Sequence, residues 1–158
     1  MSNFVPVRVK LEDVWYPTTE HAYQAAKTLD KDQRAMIRIA KTPGIAKRLG
    51  QKVTKREDWE EVKEQVMLDL LLQKFAKSPF TEQLLATGLA YLEETNTWND
   101  TYWGVCKGQG KNRLGYLLMN VRLVLKTDKN ANAFDAYRQA LRESEWAAGS
   151  PHGTGGDR

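Results

Sequence analysis

From Arg56 to Lys77 the apolar residues Trp59, Val62, Val66, Leu70 and Phe75, with Met67 and Leu71 beside them, recur at the spacing of one helix face. It is the longest periodic run in a chain of 158 residues, so a central helix is expected there, with shorter elements laid against it. Those elements are punctuated. Thr42, Pro43 and Gly50 read as a cap, a first-turn proline and a stop, and Ser78, Pro79, Thr87 and Gly88 repeat the pattern. Asp30 with Gln33 three positions on opens a helix through Met36, Ile37, Ile39 and Ala40. Thr18 caps another behind Pro17, placing Glu20 in the first turn and an apolar seam at Ala22, Ala25, Ala26 and Leu29.

Around this helical frame, Val5 to Trp15 carries a short alternation, VPVRV, that fits a strand or hairpin, and LAYLEET fits a short strand. TNTWNDTYWGVCKGQGKNR has no apolar period and reads as a loop, and a loop that long in a compact domain is usually functional. LGYLLMNVRLVL returns to a buried-helix pattern, where the core should end. Phe134, Tyr137, Leu141 and Trp146 mark an amphipathic helix in a C-terminal extension over 127–147, and the Gly-rich 148–158 is expected to be disordered.

Composition narrows the chemistry. Cys106 is the sole cysteine and His21 and His152 the sole histidines, so neither a disulfide nor a structural zinc site is expected. The net charge of +4 suits anionic ligands, although 24 basic and 20 acidic residues are interspersed. No run of about eighteen apolar residues occurs and MSNFVPVRVK lacks a signal-peptide core, so a cytoplasmic protein without a membrane span is expected.

Three polar, aromatic-rich segments carry candidate chemistry. On the first helix Glu20, Gln24 and Lys27 share one stripe, which is equally the ordinary pattern of a wet helix face; His21 and Tyr23 beside it prefer partial burial. In the long loop, Trp98, Tyr102 and Trp103 surround Asp100, either as a wall that stacks a planar ligand or as anchors for a turn. GQGKNRLG sets Gly108, Gly110, Lys111 and Asn112 before a helix, the parts of an anion site without the spacing of a Walker motif. No G-x-S-x-G or metal-ligand cluster is present.

Taken together, SNF at Ser2 to Phe4, YPTTEHAYQAAK, TPGIAK, REDWEEVKEQVM, KF at Lys74 and Phe75, LLATG, WNDTYWGV, GKNRLG and LLMNVR resemble, in order, the NADAR or YbiA-like family. The resemblance implies a domain over 1–126 that is mainly α, a compact orthogonal helical fold with a small N-terminal β element. It also implies an N-glycosidase that needs no cofactor or metal. Such enzymes remove ADP-ribose from modified guanine bases in nucleic acid or cleave ribosylated riboflavin-pathway intermediates. The implied partner is thus a ribosyl or ADP-ribosyl substrate, with ADP-ribosylated DNA or RNA among the candidates. Oligomeric state is not legible. Asn99 departs from the family, standing where glycine is common.

On that reading Glu20 stabilises positive charge at C1 or activates water, while Lys27 is the alternative, attacking C1 as an amine. Asp100 positions water or ribose hydroxyls, and Trp98 and Trp103 cover base or sugar. Ser2, Asn3, Lys111 and Asn112 hold hydroxyls or phosphate, and His21, Gln24, Tyr102 and Gly104 complete the substrate-binding set. The rival reading is a non-catalytic module that binds ADP-ribose or a nucleotide through the same residues.

Overall fold

The computed structural model describes residues 1–127, so the extension and tail expected beyond Thr127 lie outside the described residues. A two-stranded hairpin, β1 (Val9–Leu11) and β2 (Val14–Tyr16), opens the chain, pairing antiparallel with Val9 opposite Tyr16. Three short helices follow: α1 (Thr19–Ala26), α2 (Lys31–Arg38) and α3 (Pro43–Gly50). The long α4 (Trp59–Phe75) leads to α5 (Phe80–Leu85), and α6 (Arg113–Lys126) closes the fold. Between them β3 (Thr95–Asn96) and β4 (Val105–Cys106) form a minimal parallel pair. The fold is mainly α, and no helix among the described residues is long and apolar enough to cross a membrane.

The starts of α1, α2 and α3 follow the punctuation, whereas α5 begins at Phe80 with Pro79, not Ser78, at the cap position and no side-chain cap bond. Thr18 accepts from the His21 amide, Asp30 from those of Asp32 and Gln33, and Thr42 from that of Ile45. Each supplies an oxygen to amides that lack intrahelical partners. Two further expectations need correction. LAYLEET is irregular until Thr95, because Leu89 and Tyr91 are exposed and Leu92 O is taken up by the Asn112 side chain. Gly50 is not a stop but the last residue inside α3, where it has a packing role described below.

The core lies between α4 and α6, with Leu70, Leu71 and Phe75 meeting Leu117, Leu118 and Val121. Ile37, Ala22, Ala25, Ala26 and Tyr23 extend it under α1 and α2. Each large apolar side chain so buried stabilises the fold by about 1.5–3 kcal/mol. The expected seam on α1 is therefore half right: its three alanines are buried, while Leu29 is 63% exposed. On α2, Met36 and Ile39 also face out, and Ile37 alone is buried. The hairpin is fixed to α4 by Gln73, whose amide accepts from Lys10 N at 2.6 Å and donates to Lys10 O at 2.7 Å. The side chain thus does for β1 what another strand would do at that edge.

Candidate active site

The stripe on α1 is not a wet face. Every residue from Thr19 to Ala26 is buried, because α2, α3 and α4 all pack on this short helix. What remains open is a cavity of about 660 Å³. Its walls are the N-terminal residues Ser2, Asn3 and Phe4; Glu20, Tyr23, Gln24 and Lys27 around α1; and Lys47 of α3. Trp59, Lys63 and Met67 of α4 complete it with Glu94, Asn96, Trp98, Asp100, Tyr102 and Trp103 of the loop, and Leu114 of α6. That volume is in the range of small-molecule sites.

Glu20 is 8% exposed and accepts from Gln24 Nε2 at 2.8 Å. Burial pushes its carboxyl above the ordinary 4.5, opposed by the Gln24 hydrogen bond and by Lys47 and Lys27. Its backbone N–H, in the first turn of α1, donates to Asn3 O at 3.1 Å, so the N-terminal segment holds the residue as well. Lys27 is only partly exposed, and burial lowers its ammonium below 10.5 despite Glu20. Its Nζ sits 5.6 Å from the centre of the Tyr23 ring. The two groups therefore move toward their neutral forms for the same reason: removal from water disfavours charge.

Gln24 is held from its other side. Its Oε1 is buried without a hydrogen-bond partner, and a Cβ added at Gly50 would stand 2.1 Å from that oxygen and 2.7 Å from Gln24 Cβ. Glycine at 50 is thus what lets α1 and α3 approach closely enough for the Gln24 amide to face Glu20 with its nitrogen.

The aromatic wall is built on Asp100. Its Oδ1 accepts from the amides of Tyr102 at 3.1 Å and Trp103 at 2.8 Å, a turn that points both rings inward. Asn96 reinforces it, accepting from Asp100 N and donating to Asp100 O. Trp103 Nε1 donates to Tyr23 OH at 3.1 Å, and its ring meets Tyr23 edge-on at 5.6 Å and Tyr102 at 5.2 Å. Tyr102 OH donates to Glu64 Oε1 at 2.6 Å, and Arg113 clasps the same carboxylate with two bonds. Trp98 is 60% exposed at the rim, with Lys47 Nζ 5.1 Å from its ring centre. Next to it Asn99 has φ 66, the left-handed conformation that glycine adopts most readily. Asp100 therefore combines both expectations for it, making a turn and lining the cavity.

Of the predicted site residues, Ser2, Asn3, Glu20, Gln24, Lys27, Trp98, Asp100, Tyr102 and Trp103 come together in this cavity. Four lie elsewhere. His21 points away, its Nε2 bonding Ala40 O at 3.0 Å and its Nδ1 bonding Thr18 Oγ1 at 2.8 Å. Since a carbonyl only accepts, Nε2 carries the proton and Nδ1 accepts from the threonine. Gly104 is packed beneath the loop, its missing Cβ 2.3 Å from Glu94 O. Asn112, left-handed at φ 49, binds Glu94 N, Tyr91 OH and Leu92 O, so it braces the loop start. Lys111 is exposed, with its Nζ 5.5 Å from the centre of the Tyr102 ring, and does not line the cavity. The cavity wall also includes Phe4, Tyr23, Asn96 and Leu114, and with them Lys47, Trp59, Lys63, Met67 and Glu94, none of which stands among the predicted site residues. The blocks TPGIAK and REDWEEVKEQVM contained four of them, but the helical period explained Trp59 and Met67 as core. Among the described residues no cluster of three or more His, Cys, Asp or Glu is placed to hold a metal ion.

The NADAR domain family model matches residues 1–126. The N-glycosidase YbiA of Escherichia coli (strain K12) is 46% identical over 132 residues, which is 81% of this chain and 82% of that protein. The NMR structure of the E. coli protein YbiA has a TM-score of 0.72 at 44% identity, covering 81% of this chain and 78% of that one. An N-glycosidase of Nostoc punctiforme is 39% identical over 77% of this chain and 81% of its own. A riboflavin biosynthesis protein of Vibrio vulnificus is 31% identical over 97% of this chain, though over only 42% of its own length. The chain belongs to the NADAR family, and its class is that of hydrolases acting on N-glycosyl bonds.

Proposed function

We propose that this protein hydrolyses the C–N bond between a ribosyl phosphate and a planar heterocyclic amine, with a ribosylated intermediate of the riboflavin pathway as its substrate. The observation that carries this reading is the buried Glu20, held by Gln24 inside a cavity whose walls are aromatic and whose cations are Lys27, Lys47 and Lys63. The aromatic rings offer faces to a heterocycle, and the lysines offer counter-charge to a phosphate. The name of the Vibrio vulnificus relative supports the pathway.

As the C1–N bond breaks, its electron pair leaves with the nitrogen, and positive charge develops on C1 and the ring oxygen. A carboxylate fixed beside that carbon stabilises the charge without having to reorient. Water adds to C1, Glu20 takes its proton, and the departing nitrogen takes one up, giving a free sugar hydroxyl and an amine. Asp100, already accepting two amides with Oδ1, has its second oxygen for a ribose hydroxyl or the attacking water. The alternative route uses Lys27: its neutral amine adds to C1 of the opened sugar, expels the heterocyclic amine and is released from the imine by water. Borohydride during turnover separates the two, since only the second leaves a sugar adduct on Lys27.

A second substrate, ADP-ribosylated guanine, is favoured by one feature. Trp98 stands half out of the cavity over Lys47, a shelf for a further ring beyond the ribosyl group. The test is parallel incubation with a ribosylamino-pyrimidine phosphate and with an ADP-ribosylated guanine oligonucleotide, each product followed by mass spectrometry. Release of the pyrimidine amine is expected; release of ADP-ribose alone would transfer the assignment to the second substrate. Tight binding of both without cleavage would return the non-catalytic module.

A further inference from the structure

Lys74, near the end of α4, is fully buried and takes no part in lining the cavity. Its ammonium donates to Met1 O at 3.0 Å and Ser2 O at 2.7 Å, and the rings of Phe75 and Phe80 lie 5.2 and 5.5 Å from it. Among the described residues no carboxylate pairs with it. A buried cation with no carboxylate in contact, and only the charge of Glu94 acting on it from a distance, is costly, and a methionine or leucine at this place would serve packing alone better. Desolvation lowers the ammonium to about 8 against the opposing charge of Glu94, which expresses the same cost. The chain segment it gathers is the one that matters to the site. Ser2, Asn3 and Phe4 form a cavity wall, Asn3 Nδ2 reaches Met67 Sδ at 3.6 Å, and Asn3 O accepts the Glu20 amide.

We propose that Lys74 is a positioning residue: by drawing the Met1 and Ser2 carbonyls onto α4 it holds residues 2–4 as a wall of the cavity and keeps Asn3 O on the backbone of Glu20. The proposal rests on the reading of this cavity as the active site, and goes beyond it by assigning a role to a group that touches no substrate. A purely structural lysine and a positioning lysine differ in what its removal does. Replacing an unpaired buried ammonium by an apolar chain of similar length leaves the fold as stable or more so, while releasing the N-terminal segment.

The experiment is Lys74→Met, read by thermal melting, by amide hydrogen exchange and by steady-state kinetics. The melting midpoint should be unchanged or raised. The Glu20 and Val5 amides, which donate to Asn3 O and Ser2 O, should exchange at least about tenfold faster. KM should rise by about tenfold with a smaller change in kcat, as expected when binding geometry is lost and the reacting groups remain. Undisturbed exchange at both amides together with wild-type KM would overturn the proposal. If Lys74→Met does not fold, Lys74→Leu, which likewise has no N–H to donate to the two carbonyls, takes its place and the same outcomes decide. The exchange readout needs no substrate, so it separates this proposal from the functional one. A wild-type protein that cleaves no ribosyl substrate would defeat the latter and leave the clamp to be judged by the amides.

Discussion

Gln24 donates from Nε2 to Glu20 Oε1 at 2.8 Å, one turn away on α1, while its own oxygen lies where a side chain at Gly50 would have to be. The bond to Glu20 sets the amide one way round, since its oxygen makes no hydrogen bond of its own. Rotated by half a turn, it would aim its oxygen at the Glu20 carboxylate.

Gly50→Ala should therefore damage the site through Gln24. The added methyl meets Gln24 Cβ as well as its tip, so the amide cannot simply swing aside, and overpacking of this kind costs about 1–3 kcal/mol. Expected are a lower melting temperature and a fall in kcat/KM of about tenfold or more. In a Gln24→Ala background the same substitution should cost clearly less, which a double-mutant cycle measures.

Burial holds the Glu20 carboxyl above 4.5. Between 4.5 and that raised value the native chain binds more protons than the unfolded one, so the contribution of this group to stability falls as pH rises. Glu20→Gln, of the same shape and without charge, should thus melt at the same or a higher temperature than wild type at pH 7. The difference should vanish as pH drops below 4.5. On the proposed mechanism, in which the carboxylate is the active form, wild-type turnover should show an acid limb with a midpoint above 4.5.

Glu64 behaves in the opposite sense. Arg113 and then Tyr102 bond its carboxylate and hold it down at about 2, against an ordinary 4.5. This stabilisation is fully present above 4.5 and is lost as pH falls toward 2. The pair is about one-third exposed, so after solvent screening it is worth about 1 kcal/mol. Glu64→Gln should lose that amount at neutral pH and progressively less relative to wild type as pH falls toward 2. Denaturant melts at the two pH values check it.

Trp98 and Trp103 should separate binding from folding. Trp98 stands at the rim, so Trp98→Ala should change stability by no more than about 0.5 kcal/mol. Loss of the stacking face should weaken substrate binding by about 1 kcal/mol, roughly fivefold in KM. Trp103→Ala removes a ring packed on Tyr23 and Tyr102 and leaves the Tyr23 hydroxyl without its donor, so it should destabilise by about 2–4 kcal/mol.

Much of this was legible in the sequence, and the limits have physical causes. Caps at Thr18, Asp30 and Thr42 are local interactions, so their residues announce them. The central helix follows from its period, though Asp58 at its start bonds Arg56 instead of capping it. What periodicity cannot reveal is burial on all sides. Glu20, Gln24 and Lys27 repeat as a wet face would, and it is the packing of α2, α3, α4 and the N-terminal segment around α1 that makes them a cavity wall. Lys74 falls in an apolar run yet looks like one more exposed cation, because its partners are two backbone carbonyls more than seventy positions away. Asn112 and the glycines of GQGKNRLG carried the signs of an anion loop, but those residue types serve equally well for left-handed turns. Here Asn112, Gly108 and Gly110 all have positive φ.

The central claim is that Glu20 provides the charge that breaks a ribosyl C–N bond, and the most direct measurement compares wild type with Glu20→Gln on a ribosylamino-pyrimidine phosphate. Single-turnover cleavage should fall by about 100-fold or more, while Kd, measured separately by calorimetry, stays within about threefold. Equal cleavage rates in the two proteins would contradict the account.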